Sequence, residues 1–209
     1  MNPTINALTA AIVGLCAGIW SWVGLNSYHY RLDEEMENPK PGKRWWVIVV
    51  AVLAAASIAY LNNWEMLPAL APLTLVGPWL AAVDFDVHRL PTRILIPTAI
   101  TTGAGICGTC LLIQDWTPAL YAAGGAIACG LVFFAVYHAS HGTVGFGDVR
   151  LAGIIGLAVG TRHFAYPLIG IIVGCILSMI WALTVHKQKP WPFGPWLLAG
   201  AWTASLITI

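Results

Sequence analysis

Three carboxylates in an otherwise apolar chain carry the chemistry on offer. They are Asp84 and Asp86 in PWLAAVDFDVHRLP, and Asp148 in HASHGTVGFGDVRLAGIIGLAVG. Each stands against a hydrophobic run, where an ionisable group is costly and usually retained for function. The other six acids are explained by their surroundings. Asp33, Glu34, Glu35 and Glu37 share one polar stretch, and Glu65 and Asp115 lie in short turns beside Trp64 and Trp116. Two aspartates brought to one depth cannot both ionise, so they share a proton. The ionised partner can then activate a water as general base. The protonated partner can polarise a scissile carbonyl and later protonate the leaving amine. That is amide hydrolysis without a metal, a cofactor or a covalent intermediate. Gly145 and Gly147 fit this chemistry by permitting backbone conformations closed to other residues and leaving room for an extended strand. A plainer reading makes Asp148 the N-cap of the helix it opens.

The elements that must position these acids follow from composition. Of 209 residues, 58% are hydrophobic and 9% charged, against about 25% charged in a soluble domain. Mean hydropathy is +0.76. A net charge of +1 leaves no basic stripe for nucleic acid. Eleven tryptophans suit a protein anchored at two water–lipid interfaces. About 20 apolar residues cross a bilayer as a helix, and that ruler predicts eight segments. They run over 5–25, 45–62, 66–84, 94–114, 118–138, 149–160, 164–185 and 194–209. The first segment has no Lys or Arg before it, so it reads as a retained span, since a cleaved signal peptide starts with a basic region. The longest polar stretch between segments, residues 26–44, has 19 residues. The expectation is therefore a single all-α integral membrane domain over 1–209 with about eight transmembrane helices and no soluble domain.

Orientation follows from the basic residues. With the N-terminus outside, the inner loops carry Arg31, Lys40, Lys43, Arg44, Arg89, Arg93, Arg150, Lys187 and Lys189, and only Arg162 lies outside. This predicts N-out and C-out, with 26–44 as a short charged cytoplasmic loop. Asp84 then closes the third segment and Asp148 opens the sixth, both on the cytoplasmic side. A sixth helix from Gly147 to Gly160 would be about 20 Å long, shorter than the bilayer core. Asp148 would then sit slightly below the cytoplasmic surface.

Competing chemistries find little support. Cys107 and Cys110 form a CxxC inside an apolar run, with no second pair to complete a zinc site. His138 and His141 lack the HExxH frame, and Ser140 lacks GxSxG. The pairs Gly14–Gly18, Gly156–Gly160 and Gly170–Gly174 read as helix-packing features.

The acid-bearing stretches resemble the signatures of the type IV prepilin peptidases, a family of polytopic bacterial GxGD aspartic proteases. VGFGDVRLAGIIGLAVG resembles their GxGD segment. VDFDVHRLPTRILIP resembles their other acidic motif, in which the acid seven positions before a proline is catalytic; from Pro91 that is Asp84. PWPFGPWLLAGAW at 190–202 resembles their C-terminal PFGPxLxxG stretch. The three motifs occur in order, which makes 66–209 a peptidase-like core. The resemblance implies a cytoplasmic-membrane enzyme that cuts the basic leader from prepilins or pseudopilins, with Asp84 and Asp148 as catalytic acids and Gly145 and Gly147 supporting. Its partners would be that substrate, with its basic leader and the hydrophobic helix that follows, and the lipid bilayer. Bifunctional members also methylate the new N-terminus and carry paired CxxC motifs between their first two spans. Here that place holds the cysteine-free stretch 26–44, so methyltransferase activity is not expected. Thr92 and Arg150 stand where the family favours Asn or Asp and Lys. The acids of 33–37 read first as a solvated loop, with attraction of a basic leader as a second hypothesis. Two other functions compete: an ion-coupled transporter using the same acids, and a non-catalytic pilus-assembly subunit. Transporters commonly show paired broken helices in repeats; GFGD occurs once.

Overall fold

The computed structural model describes residues 3–37, 39, 41–140, 144–184 and 192–207. These form eight α-helices: α1 (Pro3–Asn26), α2 (Trp46–Leu61), α3 (Leu67–Val87), α4 (Thr92–Ile113), α5 (Thr117–Ala139), α6 (Phe146–Val159), α7 (Tyr166–Thr184) and α8 (Gly194–Ser205). No strand occurs among the described residues. Apolar surroundings explain this, because a helix satisfies its backbone hydrogen bonds within one segment. Prolines in the first turns of α3, α5 and α8 begin helices where no N–H partner is needed. The left-handed residues His88 and Gln114 end α3 and α4.

The chain is all-helical with the eight predicted segments in order. Five elements are long and apolar enough to cross a membrane: α1, the stretch Trp64–Val87 containing α3, α4, α5 and α7. The apolar α2 is shorter at 16 residues, and α6 and α8 have 14 and 12. Large apolar side chains point outward, with Leu112 76% and Leu120 72% exposed, as expected where the surrounding medium is lipid. α6 is the exception. Nine of its 14 residues are buried, and it packs against α3, α4, α5, α7 and α8. Its shortness belongs to an enclosed position at the centre of the bundle.

Small residues set the closest approaches. A Cβ on Gly14 would lie 2.7 Å from Ala51 O, one on Gly156 2.3 Å from Gly125 O, and one on Gly200 2.0 Å from Gly170 O. The pairs α1–α2, α5–α6 and α7–α8 are therefore in backbone contact, which a larger side chain would prevent. Two boundaries differ from expectation. α3 continues through Asp84 and Asp86 to Val87, so both acids lie within its last turn and Asp84 does not close it. α6 begins at Phe146, one residue before the predicted Gly147.

Candidate active site

Asp84 lies in the last turn of α3 and Asp148 in the first turn of α6. Both are buried, at 4% and 8% exposure. They lie at the same end of the bundle, on either side of Leu90. A Cβ on Gly147 would stand 3.0 Å from Leu90 Cβ, and one on Gly194 would stand 3.3 Å from Leu90 Cδ2 and 3.0 Å from Asp84 Oδ2.

Each acid is held by the N-terminus of a helix. Asp84 Oδ2 accepts the Gly194 N–H at 2.9 Å, the first amide of α8. Asp148 Oδ2 accepts the Gly145 N–H at 3.1 Å, reaching back from the third residue of α6. Helix N-termini present unpaired amides and a partial positive charge, which favour a carboxylate without neutralising it. Neither acid takes part in an ion pair among the described residues. The N-cap reading of Asp148 is corrected here. The capping position is Gly145, and Asp148 supplies the return bond.

The roles of the two glycines are corrected as well. Gly145 has φ −78° and ψ 152°, ordinary extended backbone open to any residue. A Cβ there would meet Asp148 Oδ2 at 3.5 Å, an ordinary contact, so its lack of a side chain leaves space beside the acid. Gly147 is needed for closeness, because any side chain would press on Leu90. Close packing, not unusual dihedral angles, is what this stretch requires.

Asp86, left beside Asp84 by the sequence, has different surroundings. Arg31 donates to it from Nη2 at 2.6 Å and from Nε at 3.0 Å. Arg44 Nη2 lies 2.9 Å from its Oδ2, and the Tyr30 hydroxyl donates to the same oxygen. Burial, followed by the bond to Asp86, pushes the Tyr30 phenol above its ordinary value, so it remains a donor. All three partners come from the segment between α1 and α2. Tyr30 also meets Trp79 edge-on at 6.0 Å. That segment is therefore strapped onto the end of α3 by a charge cluster. Glu35 joins the strap through Arg89 Nη2 at 2.9 Å, so one of the four loop acids is structural rather than free in solution.

None of the remaining candidates, where described, bonds to either aspartate. His138 is exposed and packs on Phe134 at 4.6 Å, and His141 lies outside the described residues. The Ser140 hydroxyl donates to Tyr137 O at 3.0 Å and accepts from Val144 N at 3.2 Å. Cys107 is exposed and Cys110 buried. Arg150 and Thr92, the two departures from the family pattern, contact one another at 2.6 Å. Gly194 was not among the expected site residues. Its signal was present in the PFGP stretch, which the sequence could quote but not place.

Fold and site together define a polytopic α-helical membrane protein with a buried pair of aspartates at one end of its bundle. The chain belongs to the type IV leader peptidase family, whose model matches residues 72–183, a range holding both acids. It is similar to a prepilin leader peptidase/N-methyltransferase of Bacillus subtilis (strain 168), with 30% identity over 164 residues, 77% of this chain and 63% of the relative. It is similar to a protein of the same name in Aeromonas salmonicida (strain A449), with 32% identity over 152 residues, 69% of this chain and 50% of the relative. A third, from Aeromonas hydrophila, is 29% identical over 171 residues, 76% of this chain and 56% of the relative. The chain thus spans between half and two thirds of the length of these relatives. No solved structure gives a significant match.

Proposed function

We propose that this protein is a membrane-embedded aspartic endopeptidase that removes the basic leader of type IV prepilins or pseudopilins at the cytoplasmic membrane face. The observation that carries the reading is the pair itself: two buried carboxylates at one end of the bundle, each held only by backbone amides. In this reading the two carboxylates meet and share a proton, as like charges brought together must. The ionised member takes a proton from water as that water attacks the scissile carbonyl. The protonated member donates a hydrogen bond to the carbonyl oxygen, and then its proton to the departing amine. The peptide enters extended, beside Gly145, because a helix would keep its carbonyls paired.

The orientation follows from charge. The end holding Asp84 and Asp148 also holds Arg31, Lys43, Arg44, Arg89, Arg93 and Arg150; Lys40, Lys187 and Lys189 lie outside the described residues. The opposite end has Arg162, bonded to Asn62 Oδ1 and Ile207 O at 2.9 Å each. Basic residues stay on the cytoplasmic side, giving N-out and C-out with 1–209 as one membrane domain. Methylation of the product is not part of this reading, because the segment between α1 and α2 is a cysteine-free strap. The test is co-expression with a candidate prepilin and mass measurement of the product. Loss of the leader, dependent on both Asp84 and Asp148, is the expected result. Processing that persists in Asp84→Asn or Asp148→Asn would overturn it, and the same spectrum reads any added methyl group.

A further inference from the structure

Residues 88–91 join α3 to α4, and Leu90 is the buried one among them, at 6% exposure. The turn is stiff. His88 ends α3 in the left-handed region at φ 51°, with its N–H bonded to Asp84 O at 3.0 Å. Pro91 has a fixed φ and biases Leu90 toward extended backbone. The turn is also pinned from both sides. Arg89 Nη2 donates to Glu35 Oε2 at 2.9 Å and to Tyr30 O at 3.2 Å. Arg150 Nη1, from α6, donates to Thr92 Oγ1 at 2.6 Å.

Held in this way, Leu90 reaches two helix N-termini at once. A Cβ on Gly147 would stand 3.0 Å from Leu90 Cβ and 3.4 Å from Leu90 O, so the turn lies directly against the start of α6. A Cβ on Gly194 would stand 3.3 Å from Leu90 Cδ2, so the tip of the same side chain lies against the start of α8. Gly147 precedes Asp148, and Gly194 supplies the amide that holds Asp84. The leucine side chain has no polar atom and cannot bond to either carboxylate. What it can fix is how far the two N-termini stand apart. Interiors are packed closely enough that the loss of one methylene is felt by the neighbours.

We propose that Leu90 is a positioning residue, a spacer between the N-termini of α6 and α8 that holds Asp84 and Asp148 at the separation which admits the attacking water. The inference rests on the endopeptidase reading and adds to it a residue that touches no reacting atom. Carboxylates free to close on one another would bond through their shared proton and leave the water no place. Carboxylates driven apart could not both reach it, and misplacement by about 1 Å costs about 100-fold in rate.

The test is a series at this position: Leu90→Met keeps the reach toward Gly194, while Leu90→Val and Leu90→Ala withdraw it. Cleavage of a prepilin is measured in detergent, below each variant's unfolding midpoint. The control is Leu73→Ala, which removes the same atoms from the same core. Leu73 is also 6% exposed and lies on α3 about 16 Å from Asp84 at the helical rise. Leu90→Ala should lower kcat about 100-fold and Leu90→Val about tenfold, with KM changed by about twofold or less. Leu90→Met should keep kcat within about threefold of the parent. Leu73→Ala should lower the unfolding midpoint and keep kcat. The proposal is overturned if Leu90→Ala turns over as fast as Leu73→Ala, if its loss lies in KM, or if Leu90→Met falls as far as Leu90→Ala. Should Leu90→Ala fail to fold, Leu90→Val decides by the same criteria. A parent whose cleavage survives Asp84→Asn would refute the endopeptidase reading and the spacer with it. An Asp-dependent parent with an indifferent Leu90→Ala would refute the spacer alone.

Discussion

Asp84 and Asp86 are separated by one residue of α3, yet their surroundings are opposite in charge. Their side chains leave the helix about 200° apart. Asp86 turns toward the strap and meets Arg31, Arg44 and Tyr30. Asp84 turns toward α8 and meets a backbone amide and, across the site, another acid. Two cations saturate the first carboxylate, so it can do little but hold. The second is held by an amide and has no cation beside it among the described residues, which suits the proton exchange proposed for it. A cation fixes a buried acid in its charged form, whereas a helix amide stabilises the charge without cancelling it.

The contrast between the two acids is tested most directly by removing each charge. Asp84→Asn and Asp148→Asn should each lower cleavage about 1000-fold or more, with the protein still in the membrane and its thermal midpoint unmoved. An active Asp84→Asn protein would erase the distinction from Asp86. The crossed result is expected for Asp86→Asn. Removing that charge leaves Arg31 and Arg44 buried without an anion and should cost about 3 kcal/mol of stability, read as a lower unfolding midpoint in detergent. Cleavage at low temperature should persist, and its complete loss with an unchanged midpoint would make Asp86 a member of the site.

Gly147→Val tests the packing around Asp148. Its side chain would push Leu90 away and shift the first turn of α6, and misplacement by about 1 Å costs about 100-fold in rate. Gly145→Ala, which meets only ordinary contacts, should fold as the parent does; cleavage assays on both variants separate packing from access. The smallest effect is expected at the outer edge of the strap. Glu35→Gln removes the pair with the half-exposed Arg89 and should change stability by about 1 kcal/mol or less. A larger drop in the unfolding midpoint would show that the strap's outer pair, and not Asp86, anchors it.

Hydropathy alone was enough to place eight helices in order and to reduce nine acids to three. Both depend on local facts: an apolar run must pair its own backbone in lipid, and a carboxylate beside such a run is conspicuous. The motif resemblance singled out Asp84 and Asp148. Separating Asp84 from Asp86 physically required partners far away in the chain. Arg31 stands 55 residues before Asp86, and the amide of Gly194 stands 110 residues after Asp84. Periodicity carries no record of such pairings, because hydrogen bonds and ion pairs are chosen through space. The glycines show the same division. Their presence beside Asp148 was legible, but only the approach of Leu90 showed that Gly147 serves close contact while Gly145 meets only ordinary contacts. Sequence thus determined the medium, the secondary structure and the cast of acids. Tertiary packing decided which acid is neutralised by cations and which is held by helix amides, since that depends on what the folded chain brings within about 3 Å of each oxygen.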